Sequence, residues 1–212
     1  VIVAIDGPAG AGKSTVARAL AKALGLVLLD TGAMYRAVTW CVLEAGVDTE
    51  DASACAALAS TVELSFDSVG IVVDGVSREA EIRSREVDQA VSSVAAHPAV
   101  RAAIVPNQRA VARSGAVAEG RDTTTVVFPG AEHRFFLSAS AEERARRRAS
   151  QRGDGESIEE ILADILRRDH LDSTREDSPL RRGEGVLIID TDGFSADEVV
   201  AKLLDLIQRS PA

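Results

Sequence analysis

Gly7-Pro8-Ala9-Gly10-Ala11-Gly12-Lys13-Ser14 satisfies the pattern G-x-x-x-x-G-K-[ST] at every defined position. Glycines at this spacing let a backbone wrap a phosphate closely, so that successive N–H groups point inward at its oxygens. The adjoining Lys13 supplies a mobile cation for β- and γ-phosphates, and the Ser14 hydroxyl is placed to ligate Mg²⁺. The surroundings fit. Val1-Ile2-Val3-Ala4-Ile5 reads as a strand entering the loop, and Val16, Ala17, Leu20 and Leu24 form the apolar face of a helix leaving it. A helix starting there adds unpaired N–H donors and the positive end of its dipole. Lysine occurs only at Lys13, Lys22 and Lys202, beside 21 arginines, so an accidental Gly-Lys-Ser is a poor explanation.

Other charged groups suggest a second anion. Asp30-Thr31-Gly32-Ala33-Met34-Tyr35-Arg36 follows another apolar run, with Thr31 as the expected N-cap and Arg36 near the helix start. Glu119-Gly120-Arg121-Asp122 ends a further strand, at the carboxyl edge where wound sheets bind ligands. Arg168, Asp172 and Arg175 recur at i, i+4 and i+7, one stripe of a helix. An aspartate between two arginines can orient both guanidinium groups and leave donors for phosphate. The stripe taken alone is more often a solvated ladder of ion pairs. Arg144, Arg147 and Arg148 make a second stripe, and residues 142–182 hold 10 of the 24 basic residues, all arginine, against 11 acids. That arginine density suggests that something anionic is handled there.

The elements that must position these groups alternate. Short, nearly continuous apolar runs at 1–5, 27–29, 116–119, 134–137 and 186–189 predict parallel strands covered on both faces. Helices are expected between them at 12–24, 33–45, 99–113, 141–151, 158–171 and 196–208. Strands alternating with helices predict an α/β fold, a P-loop-type wound parallel sheet of five strands with helices on both faces. Val62, Leu64 and Phe66 alternate with polar residues, and Ile71-Val72-Val73 lies between turn signals at Gly70 and Asp74-Gly75. This predicts a β-hairpin inside an insertion over 46–98. The expected division is a core of 1–45, 99–140 and 183–212, the insertion, and a lid region over 141–182.

Composition narrows the function. At 212 residues with 46% apolar content, the chain can bury a substantial core, which excludes disorder as the main state. A net charge of −9 disfavours capture of nucleic acid or an anionic membrane surface. No apolar run approaches the roughly 18 residues of a membrane span, and no signal peptide is expected ahead of the glycine loop. Two cysteines, Cys41 and Cys55, suit a reducing cytoplasm better than a disulfide framework. GTPase chemistry is excluded, because the guanine-reading N-K-x-D is missing and the sole asparagine, Asn107, precedes Gln108. Asp190-Thr191-Asp192-Gly193 matches D-x-x-G but follows the last strand, so Asp190 reads as a turn aspartate. His97, His133 and His170 lack metal-ligand spacing.

Jointly, the loop at Gly7, residues 30–36, Glu81-Ile82-Arg83, Gly120-Arg121-Asp122, Val126-Val127-Phe128-Pro129, Ser140 to Ala145, and Arg168-Asp169 to Pro179-Leu180 resemble the bacterial cytidylate (CMP/dCMP) kinases over nearly the whole chain. The resemblance implies a P-loop nucleoside monophosphate kinase, a monomer that transfers the γ-phosphoryl of ATP to CMP or dCMP with Mg²⁺. It implies that ATP sits on Gly7, Pro8, Ala9, Gly10, Ala11, Gly12, Lys13, Ser14 and Thr15. Ser92, Arg101 and Asp122 would contact cytosine, while Arg36, Arg121 and Arg175 would hold the acceptor phosphate. Arg168 and Asp172 would approach its sugar, and Thr31 would line the acceptor site. Arg144 and Arg148 would belong to a mobile lid, reaching 152, that closes over the triphosphate. Lys13, Arg121, Arg175 and Arg148 are then the catalytic candidates. One departure stands out: where the family usually carries an apolar residue, glycine and threonine, this chain has Thr123-Thr124-Thr125. A β-branched Thr124 is disfavoured at positive φ, so an altered loop is expected. Competing readings are a P-loop kinase for UMP, AMP or a non-nucleotide alcohol, and an ATP-binding switch with no acceptor.

Overall fold

A computed structural model describes residues 1–152 and 156–209, side chains of 151 and 152 excepted. In chain order the strands are β1 (Ile2–Asp6), β2 (Val27–Asp30), β3 (Leu64–Phe66), β4 (Ile71–Val73), β5 (Val76–Ser77), β6 (Ala116–Gly120), β7 (His133–Ser138) and β8 (Leu187–Asp190). The α-helices are α1 (Lys13–Leu24), α2 (Thr31–Glu44), α3 (Ala52–Thr61), α4 (Arg85–Ala96), α5 (Pro98–Val111), α6 (Ala141–Arg152), α7 (Ile158–Thr174) and α8 (Ala196–Arg209). The chain divides into two compact units. One comprises Val1–Leu29, Ser114–Thr174 and Ser178–Ala212, the other Asp30–Arg113 and Arg175–Asp177. Residues 30–45 and 99–113 thus pack with the expected 46–98 insertion, and the expected lid helices α6 and α7 lie within the first unit. Residues 153–155 of that lid region and the side chain of Arg152 lie outside the described residues.

The first unit carries the five-stranded sheet, in the order β2-β6-β1-β7-β8. All five expected strands form. Pairing of β1 with β6 and β7, and of β7 with β8, is parallel. Val3, Ile5, Val117, Phe135, Leu137 and Ile189 from the sheet pack with Val16, Leu20 and Leu203 of α1 and α8 into one apolar core. Burial of such side chains contributes roughly 1.5–3 kcal/mol each. The register sets Ile5 against Glu119 and Asp6 against Gly120, so the end of β1 and the end of β6 arrive side by side. Among the described residues, no helix is long and apolar enough to cross a membrane.

The second unit holds α2 to α5 and an antiparallel sheet ordered β3-β4-β5, on which α2 packs through β4. The hairpin pairs Leu64 with Val73 and Phe66 with Ile71, as the alternation predicts. A third strand, β5, was hidden because two exposed residues carry no periodicity. Helices α3 and α4 were also unforeseen, although each has a side-chain cap: Asp51 accepts from Ser53 and Ala54 N–H, and Ser84 from Val87 N–H. Two local expectations are corrected. Asp30, not Thr31, caps α2, its Oδ1 accepting from the Ala33 N–H at 2.8 Å; Thr31 is already the first helical residue. Arg175 does not continue the helical stripe, because α7 stops at Thr174. Near that end the Ser173 and Thr174 hydroxyls both donate to the His170 carbonyl, and the Asp172 carbonyl accepts from the Leu180 N–H.

Candidate active site

The loop from Gly7 to Gly12 owes its path to backbone freedom. Gly7 has φ 152°, and a Cβ there would collide with the carbonyl oxygen of Leu137 on β7. Gly10, at φ 80°, lies against Arg144, whose Cβ would be 3.0 Å from a Cβ at position 10. Side chains are therefore excluded where the loop needs to lie tight. Pro8, Ala9 and Ala11 fill the remaining positions, and Ser14 and Thr15 stand exposed at the start of α1. Lys13 folds back over the loop. Its Nζ donates to the Pro8 carbonyl at 2.9 Å, and the residue is only 5% exposed. Burial, helped by the positive charge of Arg121, pulls its pKa down to about 7, against the opposing pull of Glu119, Asp6 and Asp172. A cation kept so poorly solvated gains strongly from an arriving polyanion.

Ser14 Oγ donates to Glu119 Oε1 at 2.5 Å. Glu119 is buried at the end of β6, and its value was not foreseen beyond its place at a strand end. The signal was weak because β6 is distant in sequence; only the non-sequential strand order sets it beside β1. The hydroxyl and carboxylate are hard oxygen donors, a set that fits Mg²⁺. Among the described residues, no group of three or more His, Cys, Asp or Glu residues could hold a metal ion. Any metal here would therefore complete its shell with substrate oxygens and water.

Beyond Glu119, Arg121 Nε donates to Asp172 Oδ2 at 2.8 Å. Burial opposes the guanidinium's charge, but Asp172, with that hydrogen bond, and then Glu119 and Asp169 outweigh it and raise the pKa above its ordinary value. Arg168 and Asp172 are both buried on α7, so this part of the stripe is no solvated ladder. Asp122 is 3% exposed and opens a π-helical turn over Thr123–Val127. Thr124 sits in that turn without positive φ, so its β-branch meets no backbone penalty. Along α6, Arg144 braces the phosphate loop, donating from Nη1 to the Ala9 carbonyl at 3.0 Å while Nη2 meets Asp169 at 2.7 Å. Arg147 binds Glu143 and Thr191, and Arg148 approaches Asp164 at 3.9 Å. Asp190 accepts from the Asp192 N–H, as a turn aspartate does.

The second unit holds the remaining predicted residues. Arg36 meets Asp88 at 2.5 Å and donates to the Ile82 carbonyl at 3.4 Å. Thr31 is buried in the first turn of the same helix, beside the Asp30 that Arg83 pairs with at 3.0 Å. Arg101 is 3% exposed, lies 5.0 Å above the Tyr35 ring and donates to the Ala95 carbonyl. Ser92 is buried on α4, and Arg175 belongs to this unit. Sequence spacing could not disclose Asp88 or Tyr35 as partners. Their pairings join residues far apart along the chain.

Comparison with known proteins gives a consistent result. A profile described as Cytidylate kinase matches residues 3–209. A cytidylate kinase of Mycobacterium leprae is 49% identical, with 100% of this chain and 98% of the relative covered. A bifunctional pantoate ligase/cytidylate kinase of a Synechococcus species is 50% identical over 96% of this chain and 44% of its own length. Among solved structures, a gluconokinase from Sinorhizobium meliloti shares the fold at TM-score 0.51 and 19% identity, covering 98% of this chain and 91% of its own.

Proposed function

The chain belongs to the cytidylate kinase family, and from that premise we propose that it moves the γ-phosphoryl group of ATP onto the 5′-phosphate of CMP or dCMP, using Mg²⁺. One observation carries the reading. Within one compact unit, Ser14, beside Lys13 at the start of α1, bonds Glu119 near the end of β6, and Arg121, the residue after β6, bonds Asp172 of α7. A triphosphate cradle and an arginine for a second phosphate thus share one frame.

The acceptor oxygen is already anionic near neutral pH, so the reaction needs alignment and charge neutralisation rather than a strong base. Two like unit charges at about 4 Å cost roughly 4 kcal/mol at an effective dielectric of 20. Guanidinium groups offset this because their planar forks stay protonated and bridge oxygens. The loop N–H groups of residues 7–12, with Lys13, would grip the triphosphate. Ser14, with Glu119 behind it, would hold Mg²⁺, which supplies neutralisation of charge on the phosphate oxygens. Arg36, Arg121 and Arg175 are assigned to the acceptor phosphate, Arg168 and Asp172 to its sugar, and Thr31 to the lining of the site. Ser92, Arg101 and Asp122 are assigned to cytosine. Asp122 suits that role because a carboxylate accepts from the exocyclic amine that cytosine has and uracil lacks. Residues 46–98 would act as the monophosphate-binding insertion and 141–182 as the lid, with Arg148 at the transferring group and Arg144 beside the loop. Burial pushes the pKa of both cysteine thiols up, Asp74 and Asp51 adding to this at Cys41 and Cys55, and the proposed enzyme is a monomer working in the cytoplasm.

The test is ADP release with ATP, Mg²⁺ and CMP, dCMP, UMP or AMP in parallel. The cytosine nucleotides are expected to lead. In Asp122→Ala their lead over UMP should shrink by about tenfold or more, the discrimination one such contact carries. Equal wild-type rates with CMP and UMP would defeat the assignment of Asp122.

A further inference from the structure

We propose that Asp6, Thr123 and Thr124 form a positioning clamp that sets Arg121 and Asp122 for the acceptor nucleotide, with the Thr124 hydroxyl as an essential member. The inference rests on the kinase reading above. Asp6 is the last residue of β1 and fully buried. An ionised carboxylate offers about four acceptor positions, and burial demands that they be filled. Here all four donors come from two consecutive residues. Oδ1 accepts from the Thr123 N–H at 2.8 Å and its hydroxyl at 2.7 Å, and Oδ2 accepts from the Thr124 N–H at 2.7 Å and its hydroxyl at 2.6 Å.

Both the backbone and the side chains of Thr123 and Thr124 are therefore held by one buried anion, through short charge-assisted bonds. The next bonds fix Asp122 itself. Its carbonyl accepts from the Val126 N–H at 2.9 Å and the Val127 N–H at 3.2 Å, closing the π-helical turn. On the other side of Asp122, Arg121 is tied to Asp172. The proposed cytosine reader is thus pinned from its C-terminal side by the clamp and from its N-terminal side by an ion pair. The same Asp6 charge also acts on Lys13, so one carboxylate addresses the triphosphate loop and the acceptor loop together. A glycine at position 124 would offer only its N–H and leave Oδ2 one donor short.

The decisive set is Thr124→Val, which keeps the branch and the N–H but removes the hydroxyl, and Thr124→Ser, which restores the donor. Kinetics with CMP and UMP at saturating ATP, the KM for ATP, and melting temperatures are compared with wild type. Thr124→Val is expected to raise the KM for CMP about tenfold, equivalent to about 1.4 kcal/mol, and to narrow the preference for CMP over UMP. The KM for ATP should stay within about twofold, and Thr124→Ser should behave like wild type, because only the hydroxyl donor is at stake. If Thr124→Val merely melts lower while KM for CMP and the CMP-to-UMP ratio hold, the clamp is structural and the proposal is overturned. Should that variant not fold, Thr123→Val and Thr123→Ser decide by the same measures. A wild-type chain that releases no ADP with CMP would fail differently, removing the kinase reading itself and the clamp's role with it.

Discussion

At the scale of single residues, Lys13 is under marked electrostatic tension. Its pKa falls from 10.5 to about 7, first through burial and then through Arg121. The unfolded chain keeps this lysine protonated up to its ordinary value, whereas the folded chain releases the proton above about 7. Between those limits the unfolded state binds more protons, so stability of the nucleotide-free protein should rise with pH across that window. Below about 7 both states are charged and the full cost of burying the ammonium remains. Lys13→Met should therefore abolish phosphoryl transfer, raise the melting temperature at pH 6 to 7, and lose most of the rise seen in wild type towards pH 10. Thermal melts of the two proteins across that range decide the matter; parallel curves would show that Lys13 is not the group responsible. The same shift predicts proton uptake when a triphosphate binds near pH 8, readable by calorimetry in buffers of different ionisation enthalpy.

At the scale of elements, the tight approach of the phosphate loop to β7 makes Gly7 the most demanding position. Gly7→Ala should lower stability by about 2 kcal/mol or more, because strain in an unusual backbone region adds to a backbone collision. Gly130→Ala, where an added Cβ meets nothing within 4 Å, is the control and should change stability by less than about 0.5 kcal/mol. Chemical denaturation midpoints give both values, and equal effects would remove the collision argument. The loop was readable from sequence because phosphate binding dictates both residue type and spacing over eight contiguous positions. The central strands β1 and β6 were readable because burial on both faces leaves continuous apolar runs; the edge strand β8 also formed where expected, but it is not covered on both faces, since Leu187 and Ile188 stand about half exposed. Helix α3 escaped because alanine and serine make a face with little contrast between its sides. The Arg168–Asp172–Arg175 stripe was half right. Periodicity marks a face, but it does not mark where hydroxyls and a turn end the helix. Of Glu119 only its place at a strand end was readable, and Asp88 and the four-donor arrangement on Asp6 were not readable at all. Each joins segments brought together by strand order or helix packing, across separations such as the 117 residues between Asp6 and Thr123.

At the scale of the whole molecule, an acidic protein must bind two polyanions. A net charge of −9 repels ATP and CMP at long range, while the arginines assigned to them are individually tied to carboxylates, as in Arg36–Asp88, Arg121–Asp172 and Arg144–Asp169. Such pairs orient the guanidinium groups but cancel much of their distant field, so attraction is confined to contact. Raising ionic strength from about 0.01 to 0.15 M shortens the Debye length from about 30 to about 8 Å. That change removes the repulsion felt during approach and leaves buried contacts little altered, since buried pairs are screened less. The KM values for ATP and CMP are therefore expected to hold or to fall by up to about twofold across this range, in contrast to a basic site, where salt weakens capture. Steady-state kinetics at fixed Mg²⁺ test this directly. A KM that climbs several-fold with salt would mean that long-range attraction governs binding, and that the carboxylate partners do not neutralise the arginines as the geometry implies.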